Sequence, residues 1–397
     1  MKTVLRFIAC SDLHFKADSP AEPARFEKGM RLAYAYAEAE EYRGIDAVYI
    51  NGDFANNGLP EEMALMQETA ARCVRSETEI VYTLASHEFM APDGEAGAVS
   101  RFVSLFGQAP DCHKNIGGFH FISVTTKRGC HLGEKKLSWL RAELEKAACD
   151  YPKPIFVFQH PHPTDTVYGS IIWGEDEFIP VLMDYPGVID FSGHSHAPIN
   201  DPRSVHQKYF TSVGTGSLSY TELDEFDKLH GTVPENAHDF AQFVIVEARD
   251  DGSVLLRPFD IISGAFFGCD RLIEKPWEPD SFVYTDDRYN TQNRPAFKTG
   301  DRISVERRDG ELLFTFPQAY CGEERSDSYT LRLTDCDTGR IVRQINVTSS
   351  YYLADMPETV TIRCPLPQNG RYLASVSANS FWGKVSEPIT TEIEVIR

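Results

Sequence analysis

Aspartate and histidine recur in short polar motifs, each of which follows a run of apolar residues. The motifs are Asp12-Leu13-His14, Gly52-Asp53, Ser86-His87-Glu88, His160-Pro161-His162 and Gly193-His194-Ser195-His196. In an extended segment, residues i and i+2 point to the same side, so Asp12 with His14, and His194 with His196, can each present two side chains toward one point. Carboxylates combined with imidazoles suit Zn, Mn, Fe or Co. The motifs therefore predict a metal site, in which Asp53 could bridge two ions.

Each motif taken alone is also compatible with an ordinary polar loop, because Gly-Asp is a common turn signal and a single histidine is usually structural. The combination is more specific than its parts. Of the 12 histidines, six fall in these motifs, at positions 14, 87, 160, 162, 194 and 196. The remaining six show no such pattern, and we expect them to be surface or packing residues.

The segments before the motifs are short apolar runs, typical of buried strands. They lie at 4–10, 46–50, 80–84, 155–158 and 188–191. Composition and apolar spacing predict helices over 24–43, 60–75 and 133–146, and further strands over 209–213, 243–246 and 254–256. This alternation predicts layered sheets covered by helices, with the polar motifs in the loops that follow the strands.

The chain changes character after about residue 273. Pro276, Pro279 and Pro295 lie in a polar stretch that predicts a linker or crossing segment over 273–300. Beyond it, six or seven short alternating segments separated by turn residues predict a β-sandwich. We therefore expect a catalytic α/β domain at 1–272, the linker at 273–300, and a small all-β sandwich domain at 301–397.

The ordered motifs D-x-H, G-D, an element like N-H-[E/D], H-x-x-P and G-H-x-H resemble the calcineurin-like metallophosphoesterase family. Gly58 matches the family pattern G-D-x-x-x-x-G, and 214–217 resembles its closing G-S element. The resemblance covers about residues 4–260 and implies a four-layer α/β/β/α sandwich holding two divalent ions of Mn, Fe, Zn or Co. It implies that one ion is held by Asp12, His14, Asp53 and His196. It implies that the other is held by Asp53, Ser86, His160 and His194.

The same resemblance implies hydrolysis of phosphate monoesters or diesters. A hydroxide bridging the two ions would attack phosphorus, and His87 would assist the leaving group. The sequence departs from the family at Ser86, where the family usually has Asn as a metal ligand. A hydroxyl is also a neutral oxygen ligand, but its side chain is shorter. The alternative is therefore a non-catalytic or weakly active metal-binding or partner-binding protein on the same fold.

Two residues of the motifs have open roles. Glu88 is expected to orient His87 or its loop, and a solvated loop carboxylate is the alternative. His162 is expected to lie behind the ligands or to face the substrate, because His160 is nearer to the strand end. A solvated loop position fits His162 equally well.

Charge and composition limit the classes of partner that the protein is expected to bind. With 39 basic and 59 acidic residues, the formal net charge is 39 − 59 = −20, which argues against general nucleic-acid binding or a polybasic membrane contact. A bound metal can still attract a small phosphoester substrate locally. Nine scattered cysteines, with no apolar run long enough for a signal peptide or membrane span, predict a cytoplasmic protein.

The C-terminal segment resembles a fibronectin type III-like sandwich through 314–317, 329–333, 371–378, Gly383 and 386–388, and an immunoglobulin-like sandwich fits almost as well. Its Trp382, Tyr351 and Tyr352 could form a protein or carbohydrate contact surface, although aromatic residues more often belong to a sandwich core. The sequence gives no indication of the oligomeric state.

Overall fold

The apolar run near the start of the chain forms a central strand, Thr3–Cys10, in the computed structural model. Its alternate side chains pack on opposite faces: Phe7 contributes to the core between two sheets, and Ile8 to the core beneath a helical layer. A strand that buries both faces must be apolar nearly throughout, which explains the run. The strand pairs in parallel with Ala47–Asn51 and antiparallel with Gln242–Arg249.

The first sheet has seven strands. Their spatial order is Ala265–Phe266, Val254–Asp260, Gln242–Arg249, Thr3–Cys10, Ala47–Asn51 and Glu79–Thr83, with Arg271–Ile273 also pairing with Val254–Asp260. The second sheet has six, in the order Val205–Gln207, Thr211–Gly214, Val188–Ser192, Ile155–Phe158, Phe119–Ser123 and Cys112–Ile116. A further two-residue pair joins His162–Pro163 to Gly174–Glu175.

Helices cover the outer face of each sheet. The first sheet packs against Ala21–Ala39, Pro60–Cys73 and Gly94–Phe106, and the second against Glu134–Ala147 and Ile179–Leu182. The two sheets share an aromatic core between them. The order helix, sheet, sheet, helix confirms the four-layer α/β/β/α architecture. Short helical turns occur at His87–Phe89, Ala148–Asp150, Ser170–Trp173, Asp176–Phe178, Pro202–Ser204 and Pro279–Ser281.

The first helix is shorter at its end than predicted. It buries Phe26, Met30, Ala33 and Ala37 on one face, as the spacing indicates, but it ends at Ala39 rather than 43. The guanidinium of the buried Arg6 donates hydrogen bonds to the carbonyl oxygens of residues 42 and 44. This long-range contact holds the segment out of the helix, and no local sequence signal could reveal it.

The structure describes residues 1–127, 130–223, 233–234, 236–322 and 324–396. The chain divides into two compact units, Met1–Thr285 and Asp286–Arg397. The predicted domain limits of 1–272 and 301–397 stay predictions. None of the helices in the described ranges is both long and apolar enough to cross a membrane.

The second unit is built from antiparallel sheets. One contains Ser304–Arg308, Glu311–Pro317 and Thr359–Pro365, and the other Ile341–Thr348, Ser328–Asp335, Gly370–Asn379 and Ile389–Val395. The pair Tyr320–Cys321 and Glu324–Arg325 and the helical turn Arg288–Thr291 complete the unit. Trp382, Tyr351 and Tyr352 are at most 3% exposed. They are core residues, as aromatic residues of a sandwich more often are, and a protein or carbohydrate contact through this unit stays a prediction.

Candidate metal centre

The carboxyl ends of five parallel strands converge on one point of the first unit. Three overlapping groups of side chains lie there, each with ligand atoms within 4.8 Å of one another: Asp12, His14 and His196; Asp53, His160 and His194; and His14, Asp53 and His87. All of these residues come from the five motifs. The sheets therefore bring together side chains up to 184 positions apart in sequence, from Asp12 to His196.

The first group is compact and buried. The Nε2 atoms of His14 and His196 are 3.1 Å apart, and His196 Nε2 lies 3.3 Å from Asp12 Oδ1. The other carboxylate oxygen of Asp12 accepts hydrogen bonds from Ser11 Oγ and the His194 backbone N–H. One oxygen of Asp12 is therefore anchored, and the other faces the two imidazoles.

The second group, which consists of Asp53, His160 and His194, also places a carboxylate oxygen against an imidazole nitrogen. His160 Nε2 lies 3.0 Å from Asp53 Oδ2 and 3.7 Å from Asp12 Oδ1. Asp53 belongs to two of the three groups, which is the position required of a carboxylate that bridges two ions.

Backbone contacts set the tautomers of two imidazoles. His160 Nδ1 lies 2.8 Å from the Asn51 carbonyl oxygen, and His196 Nδ1 lies 3.1 Å from that of Tyr220. A carbonyl only accepts, so each Nδ1 carries the hydrogen and donates it. Each Nε2 then faces the group and can bind a metal ion once its proton is displaced, which is the usual orientation of a metal-binding histidine.

The charges and unmet polar atoms of the site fit a cation. Asp12 Oδ1 and His160 Nε2 are buried without a hydrogen bond of acceptable geometry among the described residues, and such atoms are costly to bury unless something binds them. Burial opposes the charged form of His160, but the carboxylates of Asp53 and Asp12 outweigh it and raise the pKa of His160 to about 10. Burial also opposes ionisation of Asp53, but His160 outweighs it and holds the pKa of Asp53 well below its usual range.

The backbone at the site is unusual. Asp12, His14, Asp53, His194 and His196 all have φ between 48° and 71°, the left-handed region that non-glycine residues seldom adopt. Strained conformations of this kind cluster at functional sites. The loops are thus built to hold these side chains at some cost in backbone energy.

Comparison with known proteins assigns this domain. The model of the calcineurin-like phosphoesterase family matches residues 5–198. Residues 5–198 form a calcineurin-like phosphoesterase domain. No curated protein matches the chain significantly.

Solved structures support the fold of the phosphoesterase domain. A purple acid phosphatase from seeds of yellow lupin (Lupinus luteus) is similar, with a TM-score of 0.50 and 15% identity over 70% of this chain and 55% of that chain. This chain thus corresponds to about half of that structure. Domains d3–d4 of the rat CD45 extracellular region match 32% of this chain and 55% of that chain at 12% identity, with a TM-score of 0.21. That score is too low to say anything about the second unit, whose likeness to fibronectin type III stays a prediction.

Ser86 and His87 border the phosphoesterase site. Ser86 Oγ lies 3.1 and 3.2 Å from the two carboxylate oxygens of Asp53. The His87 backbone N–H also donates to Asp53, and His87 Nδ1 lies 2.6 Å from the Asn56 carbonyl oxygen. The ring of His87 is about 29% exposed, with Nε2 3.9 Å from Asp53 Oδ2. His87 is therefore close to Asp53 and partly open to solvent.

Glu88 is fully buried in the phosphoesterase domain, so the solvated alternative is wrong. Its carboxylate accepts hydrogen bonds from the backbone N–H groups of Asp53, Ala55 and Ala85 at 2.8–3.1 Å. Burial, reinforced by the charge of Asp53, raises the pKa of Glu88 to about 8. Glu88 thus ties two ligand loops together through the backbone, as the predicted orienting role requires.

His162 is also buried, with both ring nitrogens hydrogen-bonded. Nδ1 lies 2.7 Å from Ser192 Oγ, and Nε2 lies 2.8 Å from Ser195 Oγ. Since Ser195 stands between His194 and His196, His162 supports the loop that carries them. Burial lowers the pKa of His162 to about 3, and nearby His194 adds to the effect. Neither a solvated nor a substrate-facing position fits this environment.

Three further side chains of the phosphoesterase domain reach the site without belonging to any motif. Cys130 Sγ lies 3.7 Å from His194 Nε2, the Trp173 ring packs edge-on against His194, and the Tyr220 ring lies 4.2 Å from that of His196. All three come from loops or from a single helical turn. Their position depends on the path of the chain between strands, for which the sequence has no periodic signal.

Proposed function

We propose that the protein is a metal-dependent hydrolase of phosphate monoesters or diesters. The observation that carries the proposal is the set of three overlapping carboxylate–imidazole groups in a calcineurin-like phosphoesterase domain. Asp12, His14, Asp53 and His196 would hold one divalent ion. Asp53, His160 and His194, with Ser86 at the edge, would hold the other.

The bound ions would supply a water nucleophile at neutral pH and positive charge for the phosphoryl oxygens. The protein's own contribution is to place and hold these groups. His160 and His196 keep their Nε2 atoms facing inward through backbone hydrogen bonds, and Glu88 fixes the two loops that carry Asp53 and Ser86. Ligands that are already in place need little reorganisation when a substrate arrives.

His87 is the group that would move a proton. Its Nδ1–H donates to the Asn56 carbonyl, so proton exchange takes place at the partly exposed Nε2. With a proton on Nε2, His87 can donate to the oxygen of the leaving alcohol as the phosphorus–oxygen bond breaks. General acid catalysis of this kind typically contributes about 10²- to 10⁴-fold to the rate.

The acidic surface is compatible with an anionic substrate, because attraction would come from the metal centre and not from the surface as a whole. We propose that the partner is a small phosphoester. We also propose a cytoplasmic location. A protein or carbohydrate contact through the second unit is a further proposal, and it would not use Trp382, Tyr351 or Tyr352, because these are buried.

The test is turnover of p-nitrophenyl phosphate and bis-p-nitrophenyl phosphate by the full chain with Mn²⁺, Co²⁺ or Zn²⁺, compared with metal alone. His87→Gln should lower kcat by about 10²- to 10⁴-fold with little change in metal content. His113→Gln is the matched control, since that ring pairs with Glu143 away from the site. Absence of turnover in every combination, with one ion or none bound per chain, would favour the non-catalytic alternative.

A further inference from the structure

Cys130 is an unexpected donor beside the second group. Its thiol is buried and lies 3.7 Å from His194 Nε2, and its sulfur is also close to the Ser86 side chain. The sulfur therefore sits at the side of the group where Ser86 offers only a short hydroxyl.

The second group lacks a fourth strong donor. Asp53, His160 and His194 supply one carboxylate and two imidazoles, whereas an ion such as zinc takes at least four ligands. The Ser86 hydroxyl is directed at the carboxylate of Asp53. Cys130 is the next heteroatom on that side that suits a divalent ion.

The observed separation fits shared coordination. With metal–sulfur and metal–nitrogen bonds of about 2.3 and 2.1 Å, two ligands at a tetrahedral angle stand about 3.6 Å apart. Cys130 Sγ and His194 Nε2 are 3.7 Å apart, which is close to that edge length.

Two other features point the same way. The fully buried Nε2 of His160 belongs to this group and has no hydrogen bond of acceptable geometry among the described residues, so it is available to a metal ion. Cys130 has φ of 69°, and it shares this left-handed backbone with five of the candidate ligands.

We propose that Cys130 is a thiolate ligand of the ion held by Asp53, His160 and His194. The inference rests on the metal centre of the proposed function, and it limits which metal ions that centre would bind. As the sulfur–metal bond forms, the S–H bond breaks and its proton leaves to solvent, with no change of oxidation state. A thiolate selects zinc or cobalt over manganese or magnesium, because soft sulfur donors bind hard cations poorly.

The experiment uses the full chain reloaded with Co²⁺ after chelation. We expect a near-ultraviolet thiolate-to-cobalt absorption band when the second ion binds. Cys130→Ser should abolish the band and weaken binding of the second cobalt at least about tenfold, the lower end of what loss of a supporting residue costs. Cys149→Ser, which removes an exposed thiol, should leave both unchanged.

A rescue variant separates ligation from packing. Ser86→Asn offers a longer neutral oxygen ligand, so the double variant with Cys130→Ser should bind the second cobalt again without the band. X-ray absorption of the zinc-loaded parent requires no substitution and should show a sulfur neighbour at about 2.3 Å. This measurement decides the matter if the Cys130 variants do not fold.

The outcomes are distinct. A cobalt-loaded parent that lacks the band, or a Cys130→Ser protein that keeps it, overturns the ligand assignment. If such samples still hydrolyse phosphoesters, the proposed function stands without Cys130. If the parent binds no cobalt and no zinc and shows no turnover, both proposals fail together.

Discussion

The buried carboxyl group of Asp190, in a strand that leads into the site, provides a prediction about how the stability of the protein depends on pH. Asp190 lies in strand Val188–Ser192 and is fully buried, and among the described residues Gln159 Nε2 donates to its two carboxylate oxygens, at 2.9 and 3.1 Å. Burial raises the pKa of Asp190 to about 8, although the Gln159 hydrogen bond opposes the shift. Gln159 Oε1 is buried without a hydrogen bond among the described residues.

The sign of the effect on stability follows from the protons bound. Between the ordinary pKa of about 4 and the raised value of about 8, the unfolded chain has released this proton and the folded chain retains it. The free energy of unfolding therefore falls as pH rises through this window and is insensitive to Asp190 outside it. The slope is at most about 1.4 kcal/mol per pH unit, or roughly 3 kcal/mol between pH 5 and 7.

Asp190→Asn removes the ionisation and keeps the shape. The amide oxygen can accept from Gln159 Nε2, as the carboxyl does, so we expect little change in stability at low pH. From pH 5 to 7 the variant should gain roughly 3 kcal/mol relative to the parent. The assay is urea unfolding of the metal-free full chain at pH 5, 6 and 7. Asp184→Asn, whose parent side chain is 61% exposed, is the control and should follow the parent at every pH.

The refuting result is equally clear. If the parent and Asp190→Asn lose stability in parallel from pH 5 to 7, the carboxyl titrates in its ordinary range and the buried proton does not exist. A variant that is destabilised by the same large amount at every pH would show that the carboxylate is the form the fold requires.

The remaining predictions concern the metal centre. Gly52→Ala should lower the free energy of unfolding by about 1–3 kcal/mol in a thermal melt, since φ is +86° and the new Cβ would lie 2.5 Å from both Ala85 Cβ and His160 Nδ1. Gly94→Ala, with φ of +64° and open space, isolates the backbone part of that cost. Glu88→Gln leaves one backbone N–H facing an amide nitrogen and should weaken metal binding by about 10- to 100-fold in calorimetric titration; unchanged affinity would mean the loops hold without it. Chelation should lower the melting temperature of the first unit, because an ion at 100 times its Kd stabilises the folded state by about 2.7 kcal/mol, and an unshifted melt would contradict metal binding.

The fold could be predicted largely because its strands are apolar and short. The run at 155–158 is predicted at the limits observed, and the other strands that precede the motifs differ by at most one residue at either end. The convergence of Asp12, His160 and His194 follows from parallel pairing, since the carboxyl ends of parallel strands meet at one edge. Parallel pairing itself follows from the helices between the strands.

What escaped prediction depends on contacts between distant segments. The sequence could not show that Glu88 turns inward to three backbone N–H groups, nor that His162 lies between two serines, because both depend on how the loops pack. His113 and His120 are predicted to be surface or packing residues, but their ring nitrogens lie 2.8 Å apart and pair on either side with Glu143 and Asp150. Neighbouring antiparallel strands set that contact, and residue type alone does not reveal it.

The left-handed backbone at five candidate ligand positions has a consequence for which residues the loops can keep over evolution. An L-residue in this conformation costs about 1–2 kcal/mol relative to glycine, so the loops would become more stable if glycine replaced the aspartates and histidines. A lineage freed from the need for chemistry would gain stability by making those replacements, because most sequences hold only a narrow margin above unfolding. This chain keeps a metal-binding side chain at all five positions. The loops therefore accept several kcal/mol of backbone strain that glycine would relieve, a cost that a role for these side chains themselves would account for.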